Sequence, residues 1–187
     1  MMEGKVIFEG KTERDNDIVV RYPTANDAQA MCDYINKLSS EQTFVRFQGE
    51  EVTLEYETKY LQEQLKKLRE KKTVQLLVFA KNELIGIAGI DMKDRTESHE
   101  GVFGISVSDD YRGEGIGKKL MQLTLDEATN NISQLRIVSL GVFGGNNLAI
   151  EMYKGFGFEE YGRLPKGVFR KGSYDDHVYM YKKIKVD

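Results

Sequence analysis

One cysteine, two histidines and no apolar run approaching the length of a membrane span set the first limits on this chain of 187 residues. The lone thiol, Cys32, rules out an internal disulfide and fits a reducing, cytoplasmic setting. His99 and His177 stand far apart and lack a cysteine cluster, so no metal-ligand spacing emerges. Neither sign of charge dominates. Lys plus Arg number 27 against 30 for Asp plus Glu, a net charge of −3, which speaks against a dedicated nucleic-acid surface. Met1-Met2-Glu3-Gly4-Lys5, followed only by Val6-Ile7-Phe8, does not read as a signal peptide. Repeats, low-complexity stretches and linkers are also missing. The expectation is one domain over 1–187, without a membrane or nucleic-acid partner.

What is present reads as strands and helices in alternation. Residues 5–8 and 18–21 are strand candidates separated by a charged turn, 11–17. Pro23-Thr24 opens a helix with the stripe Ala28, Met31, Ile35 and Leu38. Cys32 borders that stripe, so a packed thiol is expected there rather than a nucleophile. Thr53 is the expected cap of a second helix running to about Lys71, with Leu54, Leu61, Leu65 and Leu68 at helical spacing. Its basic end, 66–72, reads as a solvated terminus favourable to the helix dipole. Residues 73–80 and 84–91 form a hairpin across Lys81-Asn82-Glu83, and a longer strand runs over 99–107. The order is then strand, helix, helix, three strands, helix, strand, helix and two strands. This is α/β with a mixed central sheet and about four helices.

The most distinctive segment is Tyr111-Arg112-Gly113-Glu114-Gly115-Ile116-Gly117-Lys118-Lys119-Leu120. An apolar run, Gly101-Val102-Phe103-Gly104-Ile105-Ser106-Val107, precedes it, and Ile116, Leu120 and Leu123 recur at helical spacing after it. Three glycines at alternate positions let the backbone turn. Its amides can then converge with the helix N-terminus on an anion such as a pyrophosphate. A P-loop would need a glycine where Arg112 stands and a hydroxyl residue where Lys119 stands. A dinucleotide fingerprint would need wider glycine spacing and an acid about twenty residues on, where Ser133-Gln134-Leu135-Arg136-Ile137 offers none.

The segment resembles the coenzyme A site of the GNAT superfamily of N-acetyltransferases, whose signature is Arg or Gln, two residues, Gly, one residue, Gly or Ala. Arg112, Gly115 and Gly117 fill it. A second stretch, 138–158, resembles the family's strand, asparagine, alanine, tyrosine and Gly-Phe pair through Asn147, Ala149, Tyr153, Gly157 and Phe158, with Asn146 a neighbouring candidate. Asn146 or Asn147 suits an N-cap, and Gly155 a left-handed helix stop. Gly172-Ser173-Tyr174-Asp175-Asp176-His177-Val178-Tyr179-Met180 looks like the last strand of the polyamine and ribosomal-protein acetyltransferase branches. The resemblance covers about 18–184.

That resemblance implies a sheet splayed between the strand over 101–107 and the one over 135–143, with acetyl-CoA in the cleft. The amides of Arg112, Gly113, Glu114, Gly115, Ile116, Gly117 and Lys118 would hold its pyrophosphate. Main chain at Ile105, Ser106 and Val107 would hold the pantetheine arm, with Asn146, Asn147 and Tyr153 also lining the coenzyme A site. The Ile105 amide would polarise the thioester carbonyl. Gly104 suggests a bulge or a close backbone approach. Attack by the amine would be direct, because Ser106 and Ser108 lack a base partner. A lysine-like amine costs about 4–5 kcal/mol to deprotonate at pH 7, so a base is useful. Glu100 is the candidate base, with His99, Glu97 and Asp91 as alternatives. Tyr153 would sit beside the sulfur. An ordinary phenol is a weaker acid than the leaving thiol by roughly 2 kcal/mol, so a hydrogen bond to the thiolate is the larger part of its expected role.

Two segments, 39–47 and 164–171, lie where the family builds its acceptor walls. Lys166, Arg170 and Lys171 favour an amine-bearing small molecule with a carboxylate or phosphate, and a peptide or protein N-terminus also stays open. Dimerisation is common in the superfamily, but no interface is legible here. The alternative is a silent acyl-CoA-binding domain acting as a sensor or assembly module.

Overall fold

β-branched and aromatic residues cluster where the chain extends, and apolar residues recur every three or four positions where it coils. The computed structural model describes residues 2–184, so the outermost positions of the expected domain lie outside the described residues. In chain order the elements are β1 (Val6–Lys11), β2 (Asp17–Arg21), α1 (Ala28–Ser40), α2 (Leu54–Arg69), β3 (Thr73–Ala80), β4 (Glu83–Met92) and β5 (Glu100–Val107). There follow α3 (Ile116–Asn131), β6 (Ile137–Phe143), α4 (Asn147–Gly155), β7 (Glu159–Arg170) and β8 (Ser173–Lys183). α1 buries Met31, Tyr34 and Leu38, with Cys32 packed beside them. Burial pushes that thiol's pKa up, away from the thiolate. The Thr53 side chain accepts from the Tyr56 N–H and caps α2 as its sequence implies. Among the described residues no helix is long and apolar enough to cross a membrane.

The strands form one mixed sheet in the order β1-β2-β3-β4-β5-β6-β8-β7. Every neighbouring pair is antiparallel except β5 and β6. That parallel pair is short: Glu100 faces Ile137, Gly101 faces Val138, Val102 faces Ser139, and pairing ends there. Beyond it β5 stays bonded to β4 and β6 to β8, so the two strands part as the prongs of a fork. α3 and α4 both begin after the open ends of these prongs. A crevice at the carboxyl ends of diverging parallel strands is where α/β sheets bind ligands.

Contacts fix the two faces of β5. Tyr34 of α1 donates to Ser106 Oγ (2.8 Å), whereas Phe103 packs edge-on against Tyr153 of α4, ring centres 6.3 Å apart. Even-numbered β5 residues therefore face α1, and odd-numbered ones face α4. The core fills both faces: β3 is buried almost throughout, Leu61, Leu65, Leu120 and Met121 are buried on the helices, and Val138 and Met180 on the strands.

Several local expectations need correction. The opening strand of the expected order is a hairpin of two, and β1 runs past Phe8 to Lys11 after a register shift. No bulge interrupts β5 at Gly104, because its register with β4 is unbroken. Gly155 is not the left-handed stop. α4 continues through it, and Gly157 takes φ +82° instead. There the Phe158 N–H reaches the Tyr153 carbonyl and the Gly157 N–H reaches the Lys154 carbonyl, as in a Schellman stop. Most of the second acceptor wall, 164–170, is strand rather than connection, with a register shift between Leu164 and Val168 where Lys166 takes φ +57°, and Lys171 and Gly172 make the turn.

Candidate active site

The edge of β5 that lines the fork can be assigned group by group. Ser108 N–H donates to the Ile85 carbonyl and Lys93 N–H to the Glu100 carbonyl, so the even-numbered residues bond β4. By alternation Ile105 turns its N–H and C=O into the fork, as Val107 does its N–H. The Val107 carbonyl accepts from Arg112 Nε (2.9 Å). Ser106 does not belong with them: its main chain bonds β4 and its hydroxyl accepts from Tyr34.

At the fork's mouth, Gly113 and Gly115 adopt φ +74° and +78°, and Gly115 is the residue before α3. From Gly113 through Glu114, Gly115, Ile116 and Gly117 to Lys118, six consecutive backbone N–H groups have no acceptor among the described residues. Such a row at a helix start is an anion cradle. A Cβ at Gly115 would also collide with the Glu13 carboxylate, 2.6 Å away. Gly117 plays a different part from the other two glycines. It is helical, and an added Cβ would only touch Met152 at 3.7 Å. Lys118 is exposed beside the cradle, while Lys119 lies over the Phe8 ring at 4.7 Å.

Arg112 departs from its expected place among the cradle donors. Its N–H donates to the Asp109 carbonyl, and its guanidinium is shared between Glu41 and Asp109. It pins the end of α1 to the end of β5. Glu114 also contributes a side chain that the sequence reading passed over. That carboxylate is 3% exposed and accepts from Thr12 Oγ1 (2.6 Å) and Asn16 Nδ2 (2.9 Å). These bonds hold its pKa below the usual range and dock the β1–β2 turn onto the cradle.

On the α4 face Tyr153 is 7% exposed and packs between Phe103 and Phe158. Burial pushes its pKa up to about 12, and its hydroxyl has no partner among the described residues. Asn146 caps α4 by accepting from the Ala149 N–H (3.3 Å), and Asn147 is exposed in the first turn.

Glu100 sits at the closed end of the fork. Burial opposes its charge, but hydrogen bonds from Ser139 and Lys93 prevail and hold its pKa below the usual carboxylate range. That makes it a poorer base and separates it from Ile105 by most of the strand. Asp91 pairs with Lys67 and Glu97 with Lys93 at the same end.

The two acceptor walls do meet. Phe44 packs edge-on against Phe143 (5.9 Å), and the Arg170 guanidinium lies over Phe44 at 4.2 Å. Arg170 Nε is buried without an acceptor, and neither Arg46 nor Arg170 has a carboxylate partner among the described residues. His177 of β8 joins this face opposite Phe143; the last-strand resemblance included it but gave it no role. The available signal was its alternation with Tyr179; its pairing to the glycine-bearing β6 is a matter of the fold.

The chain matches the acetyltransferase (GNAT) family model over residues 33–158, from α1 to the stop of α4. The L-amino acid N-acetyltransferase AaaT of Escherichia coli (strain K12) is 35% identical over 107 residues, covering 57% of this chain and 65% of that protein. Just under two thirds of that relative is therefore matched. A GNAT-family acetyltransferase of Streptococcus pneumoniae superposes with a TM-score of 0.82 at 24% identity, covering 90% of this chain and 99% of its own. The putative acetyltransferase yncA of Salmonella typhimurium, solved with its cofactor acetyl-CoA, gives 0.77 at 15% identity, covering 90% and 94%. At these identities the two structures speak to the fold alone.

Proposed function

The chain belongs to the acetyltransferase (GNAT) family, and from that premise we propose that it transfers the acetyl group of acetyl-CoA directly to a primary amine. The observation that carries this is the six-amide cradle at the mouth of a fork paired over only three positions. Acetyl-CoA supplies an activated acetyl group as a thioester. The amides of Gly113 to Lys118 receive its pyrophosphate, and the fork-facing groups of Ile105 and Val107 hold the arm between the prongs. The Ile105 N–H donates to the carbonyl oxygen as charge develops there. Holding both reactants in one cleft supplies much of the acceleration. With its pKa near 12, Tyr153 is a hydrogen-bond donor to the leaving sulfur rather than a proton source. Full transfer to a thiolate of ordinary basicity would be uphill by roughly 5 kcal/mol.

The acceptor wall carries Arg46 and Arg170 without carboxylate partners, which favours an amine that also bears a carboxylate. The similarity to an L-amino acid N-acetyltransferase supports the same choice. Two measurements test the proposal. Acetyl-CoA should raise the unfolding midpoint where NADH and ATP do not. Free thiol should then appear with an amine panel led by L-amino acids. No midpoint shift at millimolar acetyl-CoA would sink the enzyme reading. A shift without thiol release would leave a silent binding domain.

A further inference from the structure

Two glycines clear a space on the α1 side of the fork. Gly104 and Gly141 each stand two residues beyond the last pair, Val102 with Ser139. A Cβ on Gly104 would meet nothing within 4 Å. A Cβ on Gly141 would fall 2.3 Å from His177 Nε2. The Nε2 corner of the imidazole therefore points at the bare backbone of β6, at the level where the prongs have just parted. Its ring centre is 4.4 Å from that of Tyr179, which holds the ring in place. Neither ring nitrogen has a hydrogen-bond partner among the described residues. A free imidazole over a cleared space, beside the groups that would receive the thioester, has no structural task that would account for it.

Resting on the acyl-transfer reading above, we propose that His177 is the proton acceptor of this site, taking the proton of the acceptor's ammonium group before the nitrogen attacks. The freed nitrogen forms the C–N bond to the acetyl carbon and the C–S bond breaks. The coenzyme A sulfur leaves as thiolate and takes the second nitrogen proton, and the imidazolium returns its own proton to solvent. Amide, thiol and one solvent proton balance the ammonium and the thioester.

The surroundings suit the task. From the α1–α2 connection Arg46 faces the ring, β6 presents Gly141 and Phe143, β7 presents Leu164 and Gly167, and its own strand presents Tyr179. Burial first, and the Arg46 cation second, hold the imidazole's pKa below its ordinary value. The ring is thus neutral at pH 7, with a lone pair to offer. Glu100, by contrast, is occupied at the far end of the strand by Lys93 and Ser139.

The test compares wild type with H177Q in thiol release from acetyl-CoA. One acceptor is the fastest protonated amine from a panel of L-amino acids, short peptides and polyamines. The other is hydroxylamine, already unprotonated at pH 7. H177Q should lose on the order of 100-fold in kcat/KM with the protonated amine at pH 7, its acid limb moving up to the amine's own ionisation, while acetyl-CoA affinity holds. The hydroxylamine rate should fall less than about 3-fold, a contrast that a merely structural role would not produce. Arg46→Gln should move the wild-type acid limb to higher pH, because the imidazole pKa rises once the cation is gone. Equal losses with both amines, or an acid limb left in its wild-type position in H177Q, would overturn the assignment of His177. Wild-type protein that binds acetyl-CoA but acetylates neither amine would overturn the acyl-transfer reading itself.

Discussion

The closed and open ends of the β5–β6 fork use the same kinds of residue in opposite ways. At the closed end the three carboxylates considered as bases have partners: Glu100 has Lys93 and Ser139, Asp91 has Lys67, and Glu97 has Lys93. At the open end six amides, the Ile105 edge and the Tyr153 hydroxyl are without partners among the described residues. A protein interior seldom leaves polar groups unmatched, so such a concentration marks where a ligand completes the bonding. The carboxylate that looks like a base in the sequence lies at the satisfied end, and satisfaction disqualifies it.

Substitutions can break this contrast or sharpen it. The largest effect is expected from Gly115→Glu, which puts a charged side chain on a left-handed residue against Glu13. Acetyl-CoA affinity by calorimetry should drop on the order of 100-fold or more; retained binding would mean the cradle lies elsewhere. Tyr153→Phe should lower kcat roughly 10-fold or more by removing a hydrogen bond to developing charge, with acetyl-CoA affinity nearly unchanged. Should affinity fall as far as kcat, the tyrosine is a packing residue. Glu100→Gln should alter kcat by less than about 3-fold, since a partly exposed pair contributes little. A steep loss of turnover there would make the closed end catalytic and erase the distinction. The smallest shift is expected from Glu13→Gln. Removing a negative charge beside the cradle should tighten acetyl-CoA binding about 2- to 5-fold, and more at low salt. Weaker binding would assign Glu13 to loop support instead.

Legibility followed sequence distance. The glycine loop, the Thr53 cap and the stripe of α1 are local patterns, and each could be read within one or two turns of chain. The partners of Arg112 and Glu114 could not. Glu41 and Thr12 reach them from far along the chain, and nothing near either residue announces the contact. Strand alternation puts Glu100 on one face with Val102, Gly104 and Ser106, but only the register of β6 reveals which end of that face is closed. His177 was hidden for the same reason: its significance rests on Gly141, a residue of another strand. Gly117 shows the converse error, in which a regular spacing suggested three equivalent glycines and the helix had already absorbed one.

The three-pair junction also has a mechanical meaning. On one side antiparallel pairing links β1 through to β5, and on the other it links β6 through β8 to β7. Among the described residues, strand pairing between them is confined to the short parallel ladder at 100–102 and 137–139, extended by bonds from Arg136 and Ile137 to His99. Heat, denaturant or tension applied to the sheet will part the molecule along this seam before either half gives way. A molecule lodged between the prongs stitches the seam. Slower amide exchange along 137–139 would then report a substrate whose contacts lie several residues away.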